Sequence, residues 1–263
     1  MMRTKLTFSA LAAAGATMIA AGVLGTGTAA TASTSTSTYQ LTYGFDAYTG
    51  LTKVARWAPC LVLNGVKTTH VINYKVRTAG VASRVTLVKN AMSRVASATG
   101  LHFHYAGTTS YIPQGKSNGT SMLLDAARQR KATHAQLVIA WAWAGTGTGR
   151  SNLLSGTEAG VGSISWASSS TSQLRIGDAA VVMRRGVHLL SGFVAGGSTG
   201  TLLLHELGHA MGLQHVSYQR EVMYPIVSAL SPGGYTTGDK QGLYRVGAAM
   251  GCFRTPNLPP VSP

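Results

Sequence analysis

The stretch His205–His215, HELGHAMGLQH, holds three of the chain's eight histidines and one of its seven acidic residues. On a helix, residues i and i+4 lie on the same face about 6 Å apart along the axis, so His205 and His209 can present two imidazoles to one metal ion. Glu206 projects about 100° round the helix from His205, which suits reaching a metal-bound water more than the metal itself. The spacing therefore predicts a helix that carries a metal site.

Gly212 follows this helical stretch and can end it in a left-handed turn that side chains disfavour. The turn would bring the chain back so that His215 supplies a third ligand. Three neutral imidazoles leave the fourth position of a zinc ion to water, as in a catalytic site. The alternative is an amphipathic helix with surface histidines, which does not explain why the spacing, the glycine and the glutamate occur together.

Met223 comes eight residues after His215, in the sequence VMYP. Together with HELGHAMGLQH it resembles the signature of the metzincin metalloproteases, in which a methionine lies on a tight turn beneath three histidines. Within the metzincins the chain is similar to the matrixin branch, the secreted zinc endopeptidases related to matrix metalloproteases. The match is strongest over residues 201–225, and GDKQGLYRVG is similar to the closing helix of that branch.

The resemblance implies a metzincin-type zincin fold of the α/β (α+β) class. This fold has a twisted, mixed, five-stranded sheet, two long helices, an active-site helix, a Met-turn and a short C-terminal helix. His205, His209 and His215 would bind one catalytic Zn²⁺, Glu206 would be the general base and later a proton shuttle, and Met223 would be structural. Structural calcium is not predicted, because the acids outside the signature are scattered along the chain.

The pattern of the remaining residues agrees with a single α/β domain. Apolar residues recur at helical spacing from Val81 to Val95, with Gly100 as a suitable end. In 136–144, QLVIAWAWA, bulky and small side chains alternate, which predicts a central strand whose small face receives a helix. The resemblance to the matrixins implies that a peptide substrate would lie, by strand addition, along the strand formed by residues 159–167, AGVGSISWA. Residues 225–238 would line the pocket for the residue after the cut.

Residues 1–32 are predicted to form a secretory signal peptide, with a basic start, an apolar run and a cleavage site near Ala30–Ala32. A membrane anchor is the alternative, and no later stretch is long and apolar enough to span a membrane. We expect a Ser/Thr-rich mobile segment at 33–55, the catalytic domain at 56–252 and a Pro-rich tail at 253–263.

Cysteine usage and net charge suggest the surroundings of the protein. Cys60 and Cys252 are consistent with one disulfide in an exported protein, with two free thiols as the alternative. The formal charge is +15. Removal of the signal peptide would remove Arg3 and Lys5, which leaves 20 basic and 7 acidic residues and a charge of +13. This surplus favours an anionic partner such as a cell-wall or surface polymer, although a solvated basic surface would explain it too. No aromatic–basic nucleic-acid module is recognisable, and we expect a monomer.

The sequence thus predicts a secreted zinc-dependent endopeptidase that acts on a protein or peptide, with zinc-bound water as the attacking group and Glu206 as the general base. Two alternatives stay open. One is a zinc hydrolase acting on cell-wall peptide cross-links, which the basic charge would suit. The other is a basic binding protein on an inactive protease scaffold, against which the intact glutamate and histidines argue.

Overall fold

The computed structural model of the chain describes residues 38–46, 50–119, 121–168 and 174–254. The strands are β1 (Gln40–Leu41), β2 (Tyr43–Asp46), β3 (Leu51–Arg56), β4 (Cys60–Leu63), β5 (Val66–Thr69), β6 (Val71–Arg77), β7 (His102–Thr108), β8 (Gly115–Ser117), β9 (Met122–Leu124), β10 (Leu137–Ala144), β11 (Arg150–Ser151), β12 (Gly160–Ser168), β13 (Leu174–Arg184), β14 (Leu213–Gln214) and β15 (Phe253–Arg254). The helices are α1 (Ser83–Thr99), α2 (Ala126–Thr133), α3 (Thr199–Met211) and α4 (Thr237–Val246), and a 3₁₀ turn follows at Ala248–Met250. The predicted signal peptide and residues 255–263 of the predicted tail lie outside the described residues.

The central sheet is mixed, as predicted. Its middle runs in the order β7-β6-β10-β13-β12, in which the first four strands are parallel and β12 is antiparallel to β13. The hydrogen-bonded sheet has eight strands, however, and the expected number of five is too small. The reason is partly the length of β13, because β10 pairs only with Ala179–Arg184 and β3 pairs with Leu174 and Arg175 beyond it. β2 and β11 complete the sheet at β3 and β10.

The folded part of the chain begins before residue 56, within the segment that is predicted to be mobile. β1 pairs with β14, and β2 forms an antiparallel pair with β3. The burial of β2 is the reverse of its hydrophobicity, since Tyr43 and Phe45 are exposed while Gly44 is buried. Gly44 lies so close to Trp166 that a Cβ there would come within 2.7 Å of the indole Nε1. An apolar pattern could not reveal a strand whose buried face is a glycine.

The long helices α1 and α3 share one apolar core with the bulky face of β10, which carries Leu137, Ile139 and Trp141. The small face receives the start of the shorter helix α2, since Ala126 packs against the cluster that contains Ala142 and Ala180. On this side of the sheet, Ala142 and Ala180 also pack against smaller irregular elements such as the segment around Leu124 and Leu153.

A disulfide joins Cys60 and Cys252. It links the start of β4 to the residue before β15, and these two strands pair in parallel. The guanidinium of Arg56 strengthens the same connection by donating to the carbonyls of Met250 and Gly251. In the described parts of the chain, no helix is long and apolar enough to cross a membrane.

Candidate active site

Helix α3 has clear start and stop signals. Its N-cap Ser198 accepts a hydrogen bond from the backbone N–H of Thr201 at 3.1 Å, as N-cap residues do. Gly212 ends the helix with φ at +106°, and a Cβ there would lie 2.8 Å from the carbonyl oxygen of Ala55. Both the left-handed conformation and the close approach therefore require glycine. The chain then turns through β14 towards His215.

The three histidines of the signature come together at one point. The Nε2 atom of His205 lies 3.2 Å from the Nε2 atoms of both His209 and His215, and the latter two are 3.1 Å apart. A tetrahedral zinc ion with Zn–N distances of about 2.0–2.1 Å would separate its ligand nitrogens by about 3.3–3.4 Å. In the described ranges, this is the only group of three or more His, Cys, Asp or Glu side chains placed to hold a metal ion.

Backbone carbonyls orient two of the imidazoles. The Nδ1–H of His205 donates to the carbonyl of Val222 at 2.7 Å, and that of His209 donates to the carbonyl of Leu213 at 2.9 Å. A carbonyl can only accept, so in both rings the proton is on Nδ1 and the lone pair is on Nε2. The lone pairs therefore point into the cluster, as metal ligation requires.

Burial keeps these imidazoles neutral. It lowers the pKa of His205 to about 4, with a further contribution from His215, and lowers that of His215 to about 4. Burial followed by the two neighbouring imidazoles lowers the pKa of His209 well below its ordinary value. Neutral rings at pH 7 are the form that binds a metal.

Glu206 is buried beside the cluster, and its Oε1 has no hydrogen-bond partner among the described residues. Burial and the charge of Glu158 raise its pKa to about 8, while the backbone N–H of Gly162 acts in the opposite direction. Two glycines of β12 make this burial possible. A Cβ at Gly160 would lie 2.7 Å from Oε1, and one at Gly162 would overlap the carbonyl oxygen of Glu206.

Met223 lies on a tight turn, Glu221–Tyr224, which we call the methionine turn; its ends are joined by a 3.2 Å hydrogen bond from the N–H of Tyr224 to the carbonyl of Glu221. Its side chain is buried against Gly208, where an added Cβ would overlap the sulfur. The methionine therefore packs directly under the part of α3 between His205 and His209.

Two acids that support this turn were not singled out by the sequence. Asp239 accepts hydrogen bonds from the N–H groups of Val222 at 2.8 Å and Met223 at 3.1 Å. Glu221 in turn accepts from the N–H of Asp239 at 3.0 Å. Asp239 thus positions the peptide whose carbonyl orients His205. The only sequence signal is the capping pattern of Thr236 and Asp239 at the start of α4.

The other histidines lie elsewhere. His102, His104, His134 and His188 are exposed. His70 contacts the carbonyl of Ala58 through Nδ1 at 2.8 Å and the side chain of Gln136 through Nε2 at 2.8 Å. These five histidines are thus packing or surface residues and lie outside the cluster.

Comparison with known protein families matches residues 108–245 to the family described as Matrixin. The match spans 138 of the 263 residues, from β7 to α4, and includes the histidine cluster, Glu206 and the methionine turn. A comparison with curated proteins gives no match.

Proposed function

This chain belongs to the matrixin family of metalloproteases, and from that premise we propose that it is a secreted zinc-dependent endopeptidase. One observation carries the proposal. Three Nε2 lone pairs converge within 3.2 Å beside a buried carboxylate that has an unpartnered oxygen. Two of the ligands and a proton acceptor thus come from neighbouring buried positions of α3, which is the arrangement that hydrolysis at a metal needs.

The donor set fits one zinc ion, with His205, His209 and His215 as its ligands. The rings are neutral, two are held in the correct tautomer, and their spacing is near that of tetrahedral coordination. When bound, zinc would supply a Lewis acid that polarises a carbonyl and acidifies water. We propose no structural calcium.

Glu206 would handle the protons of the reaction. A cation bound by the neighbouring histidines would favour the charged form of Glu206, and its carboxylate would then take a proton from the attacking water and later deliver it to the leaving amine. The unpartnered Oε1 leaves an acceptor for that water, and the close approach of β12 keeps bulk solvent away. Met223 would support α3 from below without taking part in the chemistry, and no side chain need form a covalent intermediate.

Strand β12 is our candidate for the substrate-binding edge. It pairs with β13 on one side, and in the described part of the chain no strand pairs with its other side. An extended peptide could add there through backbone hydrogen bonds, next to Glu206. Residues 225–238 would then line the pocket for the residue after the cut.

The proposed location is extracellular, with cleavage of residues 1–32 near Ala30–Ala32, the catalytic domain beginning near β1 and a Pro-rich tail at its end. The disulfide is compatible with an oxidising compartment. We further propose a monomer with a basic surface suited to an anionic cell-wall or surface polymer.

The test combines metal analysis with proteolysis. We expect the purified protein to bind one zinc per chain and to hydrolyse casein, and a chelator to abolish hydrolysis until zinc is restored. His215→Ala should lose both zinc and activity. His188→Ala removes an exposed histidine outside the cluster and should change neither.

Stoichiometric zinc without cleavage of casein or a peptide library would sink the endopeptidase proposal. Adding cross-linked cell-wall peptide to the library then tests the alternative activity, hydrolysis of cell-wall peptide cross-links. Activity that survives both Glu206→Ala and chelation would show that the chemistry lies elsewhere.

A further inference from the structure

Three arginines gather where three neighbouring parallel strands end. Arg77 is the last residue of β6, Arg185 directly follows β13, and Arg84 lies in the first turn of α1. The guanidinium of Arg77 donates to the carbonyl of Trp141 in β10, and the Cζ of Arg84 lies 4.8 Å from the centroid of the Trp141 ring. We call Arg77, Arg84 and Arg185 the arginine cluster. Carboxyl ends of parallel strands are where open α/β sheets commonly bind ligands.

A cavity of about 360 Å³ meets this cluster at Arg84, the one of the three arginines that lines it. Its lining includes Ser83 and Arg84 from α1, Trp141 from β10, Gly186 after β13 and Leu202 from α3. The histidine cluster and Glu206 do not line it. The cavity is therefore separate from the candidate active site, although both touch α3.

The charges of the arginine cluster have no counter-ion in the described parts of the chain, where the one ion pair joins Arg130 and Asp178. Burial followed by the charge of Arg185 lowers the pKa of Arg77 and of Arg84. Guanidinium groups nevertheless stay protonated at neutral pH. Three like charges are thus held together at a cost in stability that a bound anion would relieve.

The start of α1 adds to this positive potential. Its N-cap residue, Ala82, offers no side-chain hydrogen bond, and its first turn contains no acidic residue. A helix start carries a partial positive charge, although the N–H groups of Arg84 and Val85 already donate to the carbonyls of Val81 and Ala82. The local field is therefore positive from both the side chains and the backbone.

We propose that this cavity binds a phosphate group, with Arg84 in its wall as the direct contact and with Arg77 and Arg185 adding to the positive charge beside it. A phosphate carries more negative charge and more acceptor oxygens than a carboxylate, so it gains more from a guanidinium group in a positive field. The group could belong to a free phosphate or to a phosphodiester polymer, because the recognised chemistry is the same. The cavity has room for a phosphate together with the organic part attached to it.

The test is a calorimetric titration at constant ionic strength with inorganic phosphate, with a synthetic glycerol phosphate oligomer and with acetate. The double variant Arg84→Gln/Arg185→Gln removes two members of the cluster. Arg128→Gln/Lys131→Gln removes the same charge from exposed positions of α2 and is the matched control. We expect saturable phosphate binding by the wild type and the control, and binding weaker by about tenfold or more in the cluster variant.

Thermal melting separates binding from a purely structural role. Without phosphate, the cluster variant should melt near the wild-type temperature, because reduced like-charge repulsion offsets the lost hydrogen bond from Arg84 to the carbonyl of Thr78 and the lost contacts with the rings of Trp141 and Trp143. With phosphate, the wild type and the control should gain stability and the cluster variant should not. A stabilising, purely structural role of the arginines would instead lower the melting temperature under both conditions.

Three results would overturn the proposal. They are no saturable phosphate binding, a loss of phosphate affinity in the α2 control equal to that in the cluster variant, or acetate binding as tight as phosphate binding. Tighter binding of the oligomer than of inorganic phosphate, per phosphate unit, supports a polymer as the source. The reverse order supports a free phosphate. None of these measurements needs zinc or peptide cleavage, so they do not depend on the proposed peptidase activity.

Discussion

Buried carboxylates near the histidine cluster are held in two opposite ways. Both oxygens of Asp239 accept hydrogen bonds from backbone N–H groups. One oxygen of Glu221 accepts from the N–H of Gly238, and the other accepts from the N–H of Asp239 and the hydroxyl of Thr236. Glu206 is equally buried, yet its Oε1 has no partner in the described part of the chain.

The contrast separates support from chemistry. A buried carboxylate with satisfied oxygens stabilises the backbone around it, because each N–H would otherwise be left without a partner. An unsatisfied oxygen costs stability and is kept where a ligand or a proton is to be received. We therefore read Asp239 and Glu221 as the frame of the methionine turn and Glu206 as the reactive group.

The largest effect is expected for Glu206→Gln, which keeps the shape of the side chain and removes the proton acceptor. We expect kcat/KM for a fluorogenic peptide to fall on the order of 10²–10⁴-fold. Zinc content and melting temperature should stay near wild type, because no hydrogen bond to Oε1 is lost. A variant that keeps its activity would remove the distinction between the two kinds of carboxylate.

Asp239→Ala should have the largest effect on stability. It leaves the N–H groups of Val222, Met223 and Thr236 without their acceptor, which should cost about 3 kcal/mol of unfolding free energy or more. Zinc affinity should also fall by about tenfold, because the carbonyl that orients His205 is released. Denaturant unfolding and competitive zinc titration measure the two effects.

Asp125→Ala is the matched control for this variant. Asp125 caps α2 by accepting from one backbone N–H, that of Arg128. The substitution should therefore lower the unfolding free energy by only about 1 kcal/mol and leave zinc affinity unchanged. Equal costs at the two positions would contradict the supporting role of Asp239.

Gly162→Ala tests the close packing of β12 that buries Glu206. Its Cβ would overlap the backbone oxygen of Glu206 and lie 2.7 Å from the Cβ of His209. We expect a loss of about 1–3 kcal/mol in unfolding free energy. Gly177→Ala in β13 is the control, since its Cβ would meet only the Nη2 of Arg130 at 4.0 Å, and it should be close to neutral. A neutral Gly162→Ala would show that α3 and β12 can separate without cost.

The last comparison concerns pH and the Glu221–Asp239 pair. Burial and the charge of Asp239 raise the pKa of Glu221 from its usual 4.5 to about 7. The native state therefore binds this proton more tightly than the unfolded chain does. The stabilisation of the fold by protonated Glu221 is complete below pH 4.5 and is lost as pH rises through about 7. The stability of wild type relative to Glu221→Gln should thus fall between pH 5 and 8. Melting curves of both proteins across this range measure it, and a difference that rises with pH would contradict it.

Much of the helix that carries the candidate site is predictable from local sequence. The spacing of His205 and His209 places them on one helical face, and Gly212 ends the helix where a left-handed residue is needed. The long helix from Ser83 follows from its apolar repeat in the same way. These features depend on neighbours in the chain, so periodicity and turn chemistry are sufficient to find them.

Other parts could not be found this way. β2 carries exposed aromatic residues and buries Gly44, so its hydrophobic pattern is misleading. The face of β10 that meets the helices depends on where α1 and α3 lie, and the alternation in the strand is compatible with either choice. The short strands that widen the sheet depend on the length of β13.

The sequence by itself determined which groups are candidates to bind a metal and move a proton, because they lie in eleven neighbouring residues. Only the tertiary structure decided how those groups are held. Asp239 is more than twenty residues from His215, and Gly160 lies on a strand far upstream of α3. The pairing of β12 with the sheet and the docking of α4 bring them to the site. Hydrogen bonds and close packing between distant segments depend on the whole fold, so local spacing could not reveal them.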